Sequence, residues 1–125
     1  MNIWLAVFLG GGLGSMARYG VTRIILAMDL RGAFPWATLM SNLIATALLA
    51  WLMVRMQDQL QGRDALNAFL VIGLCGGFST FSTFSYENFL LLREGQVGFV
   101  IANILVSVLA CIAIFYVVAR NGSIS

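Results

Sequence analysis

The chain of 125 residues contains no lysine and no histidine, a single proline, and charged side chains at only 10% of its positions. Each shortage excludes something. Without histidine or lysine, the commonest general base, the Schiff-base amine and the commonest metal ligand are all missing. Every basic residue is arginine, and the net charge is +2. So few and so scattered charges form neither a nucleic-acid face nor a lipid-headgroup patch. A water-soluble domain carries about 25% charged residues, so this chain cannot clothe a surface that faces water. The two cysteines, Cys75 and Cys111, lie in apolar runs, with neither metal-ligand spacing nor a disulfide framework, and read as packing residues. No residue cluster suggests catalysis, a nucleotide site or an organic cofactor, so the chain does not read as an enzyme.

What is present is hydrocarbon, with 61% of residues hydrophobic. A bilayer accepts apolar side chains on every face of a helix. Four apolar runs predict an all-α integral membrane domain over residues 1–125. Its helices fall near residues 3–28, 35–55, 65–92 and 96–119, and each is long enough to span at 1.5 Å per residue. The first run lacks a basic flank and continues past Gly10, which predicts a retained helix rather than a cleaved leader. The connections are short, so neighbouring helices run antiparallel in one bundle. The first connection holds Arg31, Gly32 and Pro35, and the proline suits the first turn of the second helix. Trp4, Trp36, Trp51 and Tyr116 stand near helix ends, as an aromatic belt requires.

Orientation is poorly specified. Arg55, Arg63 and Arg120 fall on one side, and Arg31 and Arg93 on the other with Arg23 beside them. Such balance gives no positive-inside bias: it reads either as a weak signal resolved by other factors or as dual topology, with the chain inserting both ways and pairing antiparallel with itself.

The informative residues are those that lipid excludes. Arg18 lies deep in the first run, after the small residues Gly10, Gly11, Gly12, Gly14 and Ser15 that allow close helix contact. It reads either as a snorkelling side chain or as a fixed positive charge that draws anions into a vestibule. Asn42 lies inside the second run, where its carboxamide must be hydrogen-bonded. It reads either as an interhelical tie or as a pore donor, and rotation would suit it to an ion of either sign.

The strongest signal is Gly76-Gly77-Phe78-Ser79-Thr80-Phe81-Ser82-Thr83-Phe84-Ser85. Paired glycines weaken a helix, and hydroxyls satisfy the backbone groups that a break releases, so a break is predicted near residues 76–82. Freed carbonyls suit a cation, and the following helix N-terminus suits an anion. Phe78, Phe81 and Phe84 drift slowly around one side. Their ring edges are electropositive, and with Ser82 and Thr83 they could accompany a dehydrated anion, although on periodicity alone such a stripe reads first as core packing. Asn103, Ser107 and Cys111 form a stripe along the fourth run that suits either a polar track or small-residue packing. Glu87 and Asn88 are expected near the end of the third helix, at the interface.

With these residues in view, the chain resembles the Fluc family of fluoride channels (CrcB-type). The resemblance covers all four helices. It rests on residues 76–85, on Ala17-Arg18-Tyr19 after the glycine-rich start, and on Asn42. It implies a passive, fluoride-selective channel that exports the ion from the cytoplasm. The implied assembly is an antiparallel, dual-topology homodimer in a bacterial inner membrane. The implied pore residues are Asn42, Phe81, Phe84, Ser82, Thr83 and Ser107, with Arg18 at the vestibule. A structural sodium ion is implied at the dimer centre, on the backbone carbonyls of Gly76 and Ser79. Ser79 stands where the family often has threonine, and Ala45-Thr46 replace a commonly glycine-rich stretch. No role is carried onto Asn103 or Cys111. The residues by themselves support a path for a small anion, and the preference for fluoride comes from the resemblance. Two other classes share the length and charge pattern. One is a small four-helix, proton-coupled exporter, which needs an intramembrane carboxylate. The other is a non-transporting assembly subunit whose glycines and hydroxyls serve packing.

Overall fold

A computed structural model describes residues 2–29 and 34–121. Helix α1 (Ile3–Ala27) starts where the Asn2 side chain accepts the Trp4 N–H at 2.7 Å, an N-cap that satisfies one of the orphan donors of the first turn. It ends at Asp29, whose φ of 50° turns the chain left-handed. Arg31 and Gly32 of the first connection lie outside the described residues. Helix α2 (Trp36–Arg55) begins one residue after Pro35, which takes the cap position rather than the first turn. A short turn, α3 (Gln57–Leu60), leads through Gly62 at φ 78° into the third long segment.

That segment is built in pieces. Helix α4 (Asp64–Asn67) passes into a π-helix (Ala68–Cys75), then a single α turn, α5 (Gly76–Phe78). Ser79 and Thr80 are extended, with φ, ψ of −97°, 154° and −148°, 124°. Helix α6 (Phe81–Arg93) resumes after them, and Gly95 at φ 77° closes the turn before α7 (Val97–Asn121). The break therefore falls inside the stretch whose glycines and hydroxyls predicted it. The π-helix has no counterpart in the sequence reading.

Glycines bring α1 and the third segment together, backbone on backbone. A Cβ placed on Gly10 would strike the Phe69 carbonyl oxygen, and one on Gly14 would strike the carbonyl oxygen of Leu74. From the other side, a Cβ on Gly73 would lie 2.9 Å from the Gly10 Cα, and one on Gly77 2.5 Å from the Gly11 carbonyl oxygen. Both partners thus carry glycine at four-residue spacing, the register that lets helices approach closely in lipid. Helix α2 packs chiefly on α7. A small apolar core of Leu52, Leu60 and Cys75 closes the end of the bundle near α3.

Trp36–Arg55, the broken segment Asp64–Arg93 and Val97–Arg120 are long and apolar enough to cross a membrane. The sequence predicts four spans. Helix α1 has the length, at 25 residues, but its glycines, Arg18 and Arg23 dilute its apolar run. Large apolar side chains such as Phe8, Leu109 and Ile112 point outward, the inverse of a surface built for water.

Candidate functional site

The site starts from where the break sends its hydrogen bonds. In an unbroken helix the Thr80 N–H would bond the Gly76 carbonyl and the Thr83 N–H the Ser79 carbonyl. Here Thr80 N–H donates to Asn42 Oδ1 of α2 at 3.3 Å, and Thr83 N–H donates to Thr80 Oγ1 at 3.3 Å. Thr80 is thus the N-cap of α6, and Gly76 and Ser79 keep carbonyls whose helical donors are committed elsewhere. Thr80 Oγ1 also lies 3.1 Å from the hydroxyl of Ser82, which is exposed.

On one side of the break is a cavity of about 260 Å³, lined by Asn42, Thr46, Ser79, Thr80, Phe81, Phe84, Ser107, Val108 and Cys111. The rings of Phe81 and Phe84 are 5.8 Å apart and tilted by 38°. Only an oxygen can accept from Thr80, so the Asn42 carboxamide has one orientation. Its NH₂ has no partner among the described residues and is the group left for a ligand. With its oxygen bonded to Thr80, the amide has its donor side free and its acceptor side occupied, in place of the rotational freedom expected from the sequence. Across the cavity, the Thr46 hydroxyl donates to Cys111 Sγ at 3.3 Å, and that thiol lies 3.9 Å from the Asn42 carbonyl oxygen.

Ser107 is held from behind. Its hydroxyl donates to Asn103 Oδ1 at 3.2 Å, and Asn103 Nδ2 donates to Asn88 Oδ1 at 2.9 Å. All three residues are buried. This corrects the placement of Asn88 at an interface: it sits inside, against α7, because α6 continues to Arg93. Glu87 is likewise mid-helix and half-buried, with Oε1 buried and unpartnered.

A second cavity, of about 230 Å³, is lined by Ser15, Arg18, Tyr19, Thr22, Thr38, Ser41, Thr80 and Thr83. Arg18 Nε and Ser41 Oγ are buried without a partner, and Ser41 is 0% exposed. A positive charge and an orphaned hydroxyl in a partly dry space suit an anion. Thr80 lines both cavities. Arg18 and Thr83 line the second cavity with it, and Asn42, Phe81, Phe84 and Ser107 line the first.

The carbonyl-bearing residues Gly76 and Ser79 border a third, smaller cavity of about 160 Å³, with Ala45, Thr46, Leu49, Val71 and Cys75. Hard cations take oxygen ligands, backbone carbonyls among them, so this neutral pocket fits sodium better than a transition metal. No group of His, Cys, Asp or Glu among the described residues could hold one. Ser41 was not singled out from the sequence, and Thr46 and Asn88 were named there without a role in the site. Thr46 lies four residues after Asn42, a spacing that could have marked it as a neighbour on the same face of α2, whereas Ser41, one residue before Asn42, lines the other cavity.

Comparison with known proteins identifies relatives of this chain. The family described as CrcB-like protein, Camphor Resistance (CrcB), matches residues 5–119. The fluoride-specific ion channel FluC of Pyrococcus abyssi is 39% identical over 112 residues, covering 90% of this chain and 89% of that protein. The protein of the same name from Magnetococcus marinus is 37% identical over 113 residues, covering 90% and 89%. That from Coxiella burnetii is 39% identical over 114 residues, covering 90% of each.

Proposed function

The chain belongs to the CrcB-like family, and from that membership and the geometry of the break we propose that it conducts fluoride passively out of the cytoplasm. Hydrogen fluoride enters as a neutral acid and dissociates near neutral pH. A passive path then lets the trapped anion leave down its electrochemical gradient. The relatives that match over nine-tenths of the chain are named fluoride-specific ion channels.

The observation that carries the reading is the orientation of Asn42. Its oxygen is committed to Thr80, so the cavity shared with Phe81 and Phe84 receives an amide donor. Fluoride loses its water only if weak donors replace it, and an NH₂ group with two ring edges supplies them without a full charge to trap the ion. Arg18 and the hydroxyls of Ser41 and Thr83 would concentrate the anion at the other cavity. Ser82, exposed beside Thr80, and Ser107 would extend the polar path.

The assembly in this proposal is an antiparallel homodimer of dual topology in a bacterial inner membrane, with α1 as a fourth span. Two observations support it. The arginines give no orientation bias, and Phe81 is 78% exposed in the single chain although it lines the cavity. A second chain laid against α6 would close that side. Sodium belongs to the same proposal, held by the Gly76 and Ser79 carbonyls, and when bound it supplies a fixed positive charge at the break.

The test is efflux from liposomes loaded with fluoride, with chloride as control. Purified protein should release fluoride and retain chloride. Vesicles that release neither, from protein that stays folded, would overturn the reading.

A further inference from the structure

The cavity meets Ser107, but the proton of Ser107 points away from it. The hydroxyl donates to Asn103 Oδ1 at 3.2 Å and Asn103 Nδ2 donates to Asn88 Oδ1 at 2.9 Å, so the three side chains form one chain of hydrogen bonds with a direction. In that direction Ser107 offers the cavity lone pairs, which repel an anion. Turning both carboxamides by half a rotation gives the opposite chain. Asn88 then donates to Asn103, Asn103 donates to the Ser107 oxygen, and the Ser107 proton is released toward the cavity. Both directions contain the same two buried bonds, so neither wins on hydrogen-bond count. Burial makes the choice concerted: Asn103 is 1% exposed, Ser107 6% and Asn88 8%, and a carboxamide that turned alone would leave a buried group unpaired.

We propose that Asn103, acting with Asn88, is a positioning residue that sets whether Ser107 presents a proton or lone pairs to the cavity, and that a bound anion selects the reversed chain. The proposal rests on the cavity being the fluoride path. Asn103 touches no ion in it and acts through Ser107. Without the Asn103 carboxamide, the Ser107 hydroxyl falls back on the backbone carbonyl four residues earlier, the usual habit of serine within a helix, and stays turned inward.

The test measures fluoride flux against fluoride concentration for the wild type, Asn103→Leu, Ser107→Ala and the double variant. Each single change should raise the half-saturating fluoride concentration about tenfold, the loss expected for one hydrogen bond to an anion. The double variant should match the single ones, because both remove the same donor. A purely structural Asn103 would lower the number of active channels and leave half-saturation where it was, and that result overturns the proposal, as do effects that multiply. Should Asn103→Leu fail to assemble, the side-chain amide signals of Asn88 and Asn103 in the ¹⁵N-asparagine-labelled wild type decide. They should move together on titration with fluoride and stay fixed in Ser107→Ala; signals that stay fixed in the wild type through saturation overturn it. A wild type that passes no fluoride defeats the channel reading itself. A conducting wild type with an unaffected Asn103→Leu defeats only the orientation.

Discussion

Asn42 and Thr80 lie on different helices and share one bond, in which the backbone N–H of Thr80 donates to the Asn42 side-chain oxygen at 3.3 Å. That bond fastens α2 to the break and at the same time aims the other half of the carboxamide. The two roles separate by substitution. Asn42→Asp keeps an acceptor for Thr80 and loses the donor, so the protein should assemble normally while fluoride flux falls at least a hundredfold. Asn42→Leu loses both, and should also lower stability by about 1–3 kcal/mol, the cost of leaving a buried donor unpaired. Thermal unfolding beside liposome efflux distinguishes them, and an Asp variant with full flux would make Asn42 structural.

The rings of Phe81 and Phe84 lie 5.8 Å apart, and both line the cavity that Asn42 borders. Phe81→Ile and Phe84→Ile each retain apolar bulk and remove the electropositive ring edge. Flux should drop more than tenfold in each, with the oligomeric state by light scattering unchanged. Full conduction in both would remove the ring edges from the mechanism.

The glycines of α1 are not equivalent. A Cβ at Gly14 would meet the backbone of the third segment, whereas one at Gly12 would meet nothing within 4 Å. Gly14→Ala should destabilise the fold by about 1–3 kcal/mol, as overpacking against rigid backbone does. Gly12→Ala should be neutral or stabilising by up to about 1 kcal/mol, from helix propensity alone. Unfolding midpoints in detergent measure both, and equal effects would contradict the close approach.

Sodium removal tests the cation. With sodium replaced throughout by a bulky organic cation, exchange of labelled subunits between the proposed dimers should accelerate. Readdition of sodium should slow it again. Exchange that ignores sodium would leave the Gly76 and Ser79 carbonyls without that role.

Much of this arrangement was legible in the residues, for physical reasons that differ by position. Gly76-Gly77 followed by hydroxyls announced a helix break, because glycine weakens a helix while serine and threonine satisfy the groups that a break frees. The structure starts α6 where Thr80 can cap it. The small residues of α1 announced close packing, and the backbone contacts of Gly10 and Gly14 are that packing. Partners were not legible. Nothing in the residue types says that Asn88 bonds Asn103, fifteen positions away, or that Thr80 lines the cavity of Arg18 as well as that of Phe81, since both depend on how the elements are turned against one another. The π-helix was invisible for a related reason: its eight residues are an ordinary apolar run, and its winding differs only in the hydrogen-bond step.

The two halves of the third segment answer to different neighbours. Residues 64–78 are seated on α1, whereas α6 leans on α7 through Asn88 and Asn103. Ser79 and Thr80 are consequently a seam between two independently anchored bodies, and the length of that seam fixes the phase of everything after it. One residue added there, with α6 held in register by its own contacts, would have to be absorbed as a bulge. If it were instead taken up by α6 winding, it would turn Phe81 and Phe84 by about 100°, away from Asn42, and would carry Asn88 off Asn103 with them.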